Sequence, residues 1–387
     1  MRNRDDDKKK DLKDIMEINK NEYQLIPKVS KCLANGVSLT IFNDYLKQKD
    51  KDATKLEKNK SSMVSQPKPK DDEKIRESIM EVLPRELVKT LKEKEMIPEL
   101  DGQILGQTPN ISDFYPLDEH AAQYKGNPEI RNTIKELGRE KPLFRRIRGD
   151  GNCFFRAAVI QYFEKLLEDE IKLDKKAIAS SRVIGFVKEV LLGELIQCRM
   201  ETQDYLLDTV LKDVNALKKV LKKNVCEILL EKFVLESQYK RDLAYQKLLE
   251  VIQDKLNNTP GFDISLIVFL RSWILKAYKE HYEEYKNFIF DNSVEDILKT
   301  FGLEAENVTI PMVADAMECN VIINMVHTDY GKKTTTLLEE KYEGLLGKRA
   351  NADIDLHMYF RPGHYECLYD RKFWKKYYKN IPGFENI

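Results

Sequence analysis

The order of the secondary-structure signals along the chain constrains its fold more than any other feature. Apolar residues recur three and four positions apart through residues 172–257, and a second helical pattern runs from Asp263 to Tyr285. Strand signals come late, in the segments NVIINMV, TTTLL, LHMYFR and HYECLYD. Helices that precede strands, rather than alternate with them, predict an α+β fold in which a helical bulk surrounds a small β-sheet.

The N-terminal part of the chain has a different composition. Residues 1–95 alternate short apolar patches with charged runs, and the segment KDKDATKLEKNKSSMVSQPKPKDDEK holds almost nothing to bury. This composition predicts a charged, largely disordered extension, with two short amphipathic helices over 71–96 that are divided near Pro84. Pro and Gly then punctuate the stretch from Met96 to Asn110. We therefore place the main domain at 100–375 and a C-terminal tail at 376–387.

Charge and hydropathy argue against several classes of function. Lys+Arg and Asp+Glu are both 65, so the net charge is zero and we expect no nucleic-acid partner. The longest apolar stretch, ISLIVFLRSWILKAY, is too short to cross a bilayer and carries Arg271 in its middle, so we expect no membrane partner. The first residues contain no apolar signal-peptide core. We expect an intracellular location, in the cytoplasm and the nucleus, with reduced thiols.

Six cysteines compete for a role, and the surroundings of Cys153 differ from those of the rest. No C-x-x-C pair occurs, so we expect neither a structural zinc nor any other metal or cofactor. Cys153 follows the loop Gly149-Asp150-Gly151-Asn152 and begins a helical pattern. Unpaired N–H groups and the positive helix end favour a thiolate there, and the same N–H groups can face an oxyanion. A Gly-Asn turn with a merely buried cysteine explains these residues equally well.

The other cysteines have simpler interpretations. Cys198 and Cys226 lie in helical patterns and are expected in the core. Cys319 precedes a strand, and Cys32 belongs to the N-terminal extension. Cys367 is three residues past His364, so strand alternation sends it to the opposite face.

The five histidines of the chain are the candidates for a general base that would activate the Cys153 thiol. His364 follows Pro362-Gly363 and opens the last strand, and Glu366 lies two residues later on the same strand face. A carboxylate there can accept from one ring nitrogen while the other faces Cys153. His120 lies in an acidic segment and is expected to be solvated. From spacing alone, a polar edge strand without a catalytic role remains the simpler interpretation of His364.

Two motifs taken together resemble a known family. GDGNCFFRA resembles the nucleophile motif of ovarian-tumour (OTU) deubiquitinases, and RPGHYECLYD resembles the histidine motif of their otubain branch. The segments between and before them are also similar to that branch, so the resemblance covers roughly residues 105–371. Both motifs in this order and at this separation are a much stronger signal than either motif alone.

The resemblance implies a papain-like cysteine protease fold, no cofactor, and hydrolysis at the C-terminus of ubiquitin. Position by position, Cys153 matches the nucleophile, His364 the general base, and Asp150 the aspartate that supports the loop; backbone N–H groups from Gly151 and Asn152 to Cys153 would hold the oxyanion. Glu366 falls where otubains usually carry Asp or Asn. Because Glu has one more methylene, it must bend or sit further back, which predicts a less firmly oriented His364.

The implied partners are ubiquitin or polyubiquitin and, secondly, ubiquitin-conjugating enzymes. Because ubiquitin has a thin, extended tail, we expect a narrow groove beside the last strands. Two alternatives stay open from the sequence. One is a module that binds ubiquitin or a ubiquitin-conjugating enzyme without cutting, and the other is a protease for a ubiquitin-like modifier.

Overall fold

The computed structural model describes residues 69–93, 108–169, 181–289, 293–329, 334–346 and 353–379, together with Ile381 and Phe384. The chain divides into two compact units, Met1–Lys68 and Pro69–Ile387, and the first of these lies outside the described residues. The predicted disorder of residues 1–68, and most of the predicted boundary stretch from Met96 to Asn110, therefore fall on residues of which nothing is described. The last residues of the predicted linker, Pro69 to Lys74, are helical instead.

Helices form most of the described chain. The α-helices are α1 Pro69–Met80, α2 Arg85–Lys92, α3 Leu117–Ala121, α4 Pro128–Glu140, α5 Cys153–Asp169, α6 Arg182–Leu192, α7 Tyr205–Lys212, α8 Val214–Gln238, α9 Arg241–Asn258, α10 Phe262–Glu280, α11 Tyr282–Tyr285, α12 Ser293–Lys299, α13 Thr309–Ala316 and α14 Arg371–Phe373. A 3₁₀-helix at Lys286–Phe288 directly follows α11, and a π-helical turn at Trp374–Tyr378 directly follows α14.

Local chemistry explains where several helices begin. A side-chain oxygen at the N-cap accepts from a backbone N–H in the first turn, which satisfies a donor that has no partner inside the helix. The capping residues are Asn127 for α4, Ser181 for α6, Asp204 for α7 and Asp213 for α8. In α4, Pro128 follows the cap directly, in the position where proline fits a helix best.

The strands form one main sheet and one two-stranded pair. They are β1 Tyr115–Pro116, β2 Leu143–Arg145, β3 Arg199–Met200, β4 Thr300–Phe301, β5 Asn320–Asp329, β6 Thr334–Tyr342, β7 Asp355–Arg361 and β8 His364–Tyr369. The main sheet has the order β1-β2-β8-β7-β5-β6 and is antiparallel except between β5 and β7. The predicted α+β class is confirmed, since the helical bulk precedes and packs on a sheet made mostly of late strands.

The sheet lies between two clusters of buried side chains. Alternate residues of β8 point to opposite sides, so that Cys367 joins the large cluster with α5, whereas Leu368 joins a small cluster with α3 and α4. Cys367 Sγ lies 3.9 Å from the carbonyl oxygen of Ala157 on α5. The helix that begins with Cys153 and the strand that begins with His364 are thereby packed directly against each other.

The two helices that precede the predicted domain belong to the same compact unit. As predicted, they are divided near Pro84, which occupies the N-cap position of α2. Their apolar residues Ile79, Leu83 and Leu87 are buried in the large cluster, where α1 and α2 pack on α8. Both helices were expected in the extension, because amphipathic spacing does not reveal which surface covers the apolar face.

Two predicted helical stretches are interrupted. The pattern over 172–257 breaks after α6, where residues 193–198 are coil and β3 follows, so that Cys198 is not helical. The N–H of Ile196 donates to Ser272 Oγ on α10 at 2.8 Å, a partner that only the tertiary structure supplies. The pattern from Asp263 to Tyr285 likewise divides into α10 and α11 at His281.

The C-terminal residues pack on the domain. Tyr377, which falls in the predicted tail, is buried, and Trp374 Nε1 donates to the carbonyl oxygen of Phe384 at 3.0 Å. The described part of this segment is therefore integral to the compact unit.

Candidate active site

The loop before α5 places Cys153 at the first position of a helix. The Cys153 side chain is only 3% exposed, and the first helical bond runs from the N–H of Arg156 to the carbonyl oxygen of Asn152 at 2.8 Å. Gly151 has φ of 76°, in the left-handed region that glycine adopts without strain. A Cβ on Gly151 would lie 1.6 Å from the carbonyl oxygen of Gly302, so this loop can approach its neighbour only as glycine.

Asp150 stabilises the loop through hydrogen bonds to Asn152 and Arg156. Its Oδ1 accepts from the N–H of Asn152 at 3.0 Å, and its two oxygens accept from the guanidinium of Arg156 at 2.8 and 2.6 Å. Burial opposes ionisation of this carboxyl, but the hydrogen bonds and the charge of Arg156 outweigh it and hold the pKa of Asp150 below its ordinary value. The geometry fits the loop-supporting role that the sequence predicts for Asp150.

Arg156 in turn joins Asp150 to a second buried carboxylate. Its Nε and Nη2 donate to Asp263 on α10 at 2.8 and 2.9 Å. Arg156 is 1% exposed and Asp263 5% exposed, so two members of this ion-pair network of Asp150, Arg156 and Asp263 are buried, while the Asp150 side chain is partly exposed. It ties the nucleophile loop to α5 and α10 through charge-assisted bonds, which are stronger than neutral ones.

Asn152 holds the loop through its side chain, and its backbone N–H is already hydrogen-bonded. Its Oδ1 accepts from Arg271 Nη2 at 2.8 Å and from the N–H of Gly302 at 3.1 Å, and the side chain is fully buried. The predicted use of the Asn152 N–H for the oxyanion does not fit this structure, because that N–H already donates to Asp150. The N–H groups of Gly151 and Cys153 remain as the candidate oxyanion donors.

His364 lies between Cys153 and Glu366. It is hydrogen-bonded to the Cys153 thiol, and its Nε2 lies 3.3 Å from Glu366 Oε1. The bond to Cys153, followed by the bond to Glu366, outweighs partial burial and raises the pKa of His364 to about 9. The imidazole is therefore protonated at neutral pH, which is the condition for a thiolate–imidazolium pair with a neighbouring cysteine.

The extra methylene of Glu366 does not carry its carboxylate away from the site. Glu366 is 2% exposed, its Oε2 accepts from the N–H of Ile147 at 2.7 Å, and its Oε1 accepts from Arg361 Nη2 at 2.6 Å. The same Oε1 faces His364 Nε2 at the longer distance of 3.3 Å. The long contact fits the predicted looser orientation of the ring, although the carboxylate itself is held by two other donors.

Three of the other four described thiols are unreactive, and the fourth, Cys319, is buried. Burial, the largest influence in each case, raises the pKa of Cys198 to about 11 and that of Cys226 and Cys367 to about 12. Thiols with such pKa values carry almost no thiolate at neutral pH and are inert. Cys32 lies outside the described residues.

The predicted solvation of His120 is wrong. The side chain is 2% exposed and packs against the rings of Tyr124, Phe144 and Tyr359, with centroids 5.3–5.4 Å away. Burial lowers the pKa of His120 to about 4. Its acidic sequence neighbours belong to the exposed side of the short helix α3, whereas His120 faces the small cluster.

Sequence reasoning missed the arginines that hold the site. Arg271, fully buried, donates to the carbonyl oxygens of Ile297 and Leu303 as well as to Asn152, and its guanidinium lies 3.9 Å from the centroid of the Phe155 ring. A signal was present, because an arginine inside an apolar helical stretch must find buried partners. Arg156 stands in the nucleophile motif itself, but its second partner, Asp263, is distant in sequence.

A cleft of about 810 Å³ opens beside the nucleophile loop. It is lined by Arg148 to Gly151, by residues near β3 and α7, and by residues 301–306, with carboxylates from Glu201, Asp204, Glu304 and Glu306. Neither Cys153 nor His364 is among the residues that line this cleft. The cleft lies beside the β3–β4 pair, which brings two distant segments together. The groove that the sequence predicts beside the last strands stays a prediction.

Within the described residues, no group of three or more His, Cys, Asp or Glu side chains is arranged to hold a metal ion. Of the helices that the structure describes, none combines the length and apolar composition needed to span a bilayer.

Comparison with known proteins identifies relatives across most of the chain. The family model of peptidase C65, otubain, matches residues 103–370. The OVARIAN TUMOR DOMAIN-containing deubiquitinating enzyme 1 of Arabidopsis thaliana is 23% identical over 290 residues, covering 71% of this chain and 85% of the relative. The ubiquitin thioesterase OTUB1 of Homo sapiens is 25% identical over 272 residues, covering 70% and 86%.

Solved structures give a weaker match. The structure of ceOTUB1 in complex with ubiquitin aldehyde and UBC13~Ub aligns with a TM-score of 0.45 at 19% identity, over 70% of this chain and 96% of the other. The family assignment depends on the sequence match, which spans both predicted motifs and the whole region between them. With Cys153, His364 and Glu366 brought together inside the matched region, this chain belongs to the peptidase C65 otubain family.

Proposed function

We propose that this chain is a cysteine-type deubiquitinase, which hydrolyses the isopeptide or peptide bond at the C-terminus of ubiquitin. The observation that carries the proposal is the packing of the start of α5, with Cys153, against β8, where His364 lies next to Glu366. The names of the curated relatives, a deubiquitinating enzyme and ubiquitin thioesterases, supply the substrate class.

In the first half of the proposed reaction, Cys153 acts as the nucleophile. The Cys153 thiolate, paired with the His364 imidazolium, attacks the carbonyl carbon of the terminal residue of ubiquitin, and the carbonyl oxygen becomes an oxyanion. The N–H groups of Gly151 and Cys153, together with the positive end of α5, face that charge. The carbon–nitrogen bond then breaks, and His364 gives its proton to the leaving amine.

In the second half, a water molecule releases ubiquitin. His364, now neutral, takes a proton from water, and the hydroxyl oxygen attacks the thioester carbonyl. The carbon–sulfur bond breaks, which frees the carboxyl group of ubiquitin and returns the thiolate–imidazolium pair. Glu366 keeps one ring nitrogen of His364 occupied throughout, and Asp150 keeps the loop in place.

The cleft beside the loop is the proposed path for the substrate. Gly149 and Gly151, in the loop that precedes Cys153, line the cleft, and glycine lets an extended peptide approach the backbone there closely. We further propose an intracellular location, in the cytoplasm and nucleus, where a reduced Cys153 is maintained; the five described cysteines are all free thiols.

A ubiquitin probe with a C-terminal electrophile tests the proposal. The wild-type chain should gain the mass of one probe, and Cys153→Ala should gain none. The matched control is Cys226→Ala, which removes a buried, inert thiol and should label like the wild type. Labelling of Cys153→Ala would assign the nucleophile to another residue.

Two further readouts separate the alternatives. Binding of ubiquitin without labelling or hydrolysis by the wild type would identify a binding module. Labelling by a probe made from a ubiquitin-like modifier, with no labelling by the ubiquitin probe, would change the substrate class and leave the chemistry at Cys153 unchanged.

A further inference from the structure

Arg361 is a charged residue next to the site that the proposed reaction does not use. Its Nη2 donates to Glu366 Oε1 at 2.6 Å, the shortest contact that this carboxylate makes. Among the described residues, Glu366 is the side chain to which Arg361 is hydrogen-bonded. The Arg361 side chain is 35% exposed, whereas that of Glu366 is 3% exposed, so a partly exposed cation is bonded to a buried anion.

The hairpin of β7 and β8 brings Arg361 to this position. Arg361 is the cross-strand partner of His364, and Glu366 lies two residues further along β8. Directly opposed residues share a face of an antiparallel pair, and residues two apart on one strand share it as well. The three side chains therefore project from one face next to the turn, where Gly363 has φ of 72°.

The carboxylate oxygen that faces the base is the one that Arg361 holds. Glu366 Oε1 is shared between Arg361 Nη2 at 2.6 Å and His364 Nε2 at 3.3 Å, while Oε2 is bound to the N–H of Ile147. A glutamate has one more rotatable bond than an aspartate, so a single loose contact to His364 would leave this oxygen free to rotate. Two donors at 2.6 and 2.7 Å remove that freedom.

We infer that Arg361 is a positioning residue, which fixes Glu366 so that its longer side chain can orient His364. This inference rests on the proposed function, because it assigns to Arg361 a part in the reaction of Cys153. Arg361 acts only through Glu366, and the loss of Arg361 should therefore matter only while the Glu366 carboxylate is present.

A double-mutant cycle on the full chain tests this coupling. With a ubiquitin substrate, Arg361→Ala should lower kcat on the order of 10-fold and leave KM within about twofold, since hydrogen bonds to charged groups have this scale. Glu366→Gln should lower kcat roughly 30-fold, and the double variant should be no slower than Glu366→Gln within about twofold. Arg361→Lys, which keeps a charged donor, should recover activity that Arg361→Met does not. Arg182→Ala, which breaks an exposed ion pair with Asp353, should behave like the wild type.

A second measurement does not depend on ubiquitin. Alkylation of Cys153 by iodoacetamide at neutral pH, with Cys153→Ala as the background, should be slower in Arg361→Ala than in the wild type. The double variant should react no more slowly than Glu366→Gln. Multiplied losses in the double variant, or wild-type rates in Arg361→Ala, would overturn the inference. If the alkylation cycle shows coupling but ubiquitin is not cleaved, the positioning role stands and the proposed function fails.

Discussion

The loop that carries Cys153 and the hairpin that carries His364 are held by different means. The loop is anchored from inside by the ion-pair network of Asp150, Arg156 and Asp263 and by the bond between Asn152 and Arg271. Its partners lie on α5, on α10 and in the segment next to β4. The hairpin has a short turn, and its acid is fixed by one backbone N–H and by the partly exposed Arg361.

This difference separates two consequences of mutation. Breaking the support of the loop leaves buried charges without partners, so the fold and the activity should be lost together. On the hairpin, His364 and Arg361 are partly exposed, so changing either of them should lower activity while the fold persists. The free energy of unfolding and the activity, measured on the same variants, therefore test this difference.

The largest effect is expected from Arg156→Met. This variant keeps most of the side-chain volume but leaves Asp150 and Asp263 without their shared cation. Removal of one partner from a buried ion pair costs about 3–5 kcal/mol, and activity per folded molecule should also fall because the loop loses its brace. Denaturant unfolding and single-turnover hydrolysis measure the two losses. An unchanged free energy of unfolding would show that the network does not hold the loop.

Gly151→Ala should have the next largest effect. Its new Cβ would meet the backbone of Gly302, and the residue would keep a left-handed conformation, which together cost about 2–5 kcal/mol. Gly185→Ala on α6 is the matched control, because a Cβ there meets nothing within 4 Å. The control should gain up to about 1 kcal/mol from helix propensity. Equal stabilities of the two variants would remove the steric account of Gly151.

His364→Ala should reduce hydrolysis by at least ~100-fold, the usual scale of positioned proton transfer, and should cost less stability than Arg156→Met. In the wild type, the pKa of His364 is raised from 6.5 to about 9, so the imidazolium is lost as pH rises through about 9 and kcat/KM should fall there. The raised pKa also stabilises the folded state. This contribution is fully present below about pH 6.5, the pKa of His364 in the unfolded chain, and is lost as the pH rises to about 9. A large loss of stability in His364→Ala at neutral pH would place the hairpin in the same class as the loop.

Glu366→Ala should show the smallest of these losses of activity, roughly 30-fold. The reason is its 3.3 Å contact with His364, which is longer than either of its other two contacts. Side-by-side kcat values for the alanine variants at positions 364 and 366 check the order. Equal losses would mean that the acid is as essential as the base, despite the longer contact.

Local patterns predicted most of the elements and the two motifs of the site. Helical spacing and caps depend on residues close in sequence, and α5, α13, β5, β7 and β8 lie where the patterns place them. Patterns failed where a distant partner decided the outcome. The segment at 193–198 is coil because Ser272 accepts from Ile196, and β3 exists because β4 is beside it.

The sequence by itself determined the fold class, the family motifs and the candidate pair of Cys153 and His364, because each of these depends on residue order and local chemistry. Only the tertiary structure decided which groups support them. Asn152 commits its N–H to Asp150, Glu366 is shared between His364 and Arg361, and Arg271 reaches Asn152 from a helix more than one hundred positions away. Charges buried at such separations find their partners only when the chain packs, since their pairing depends on distance in space rather than on spacing in sequence.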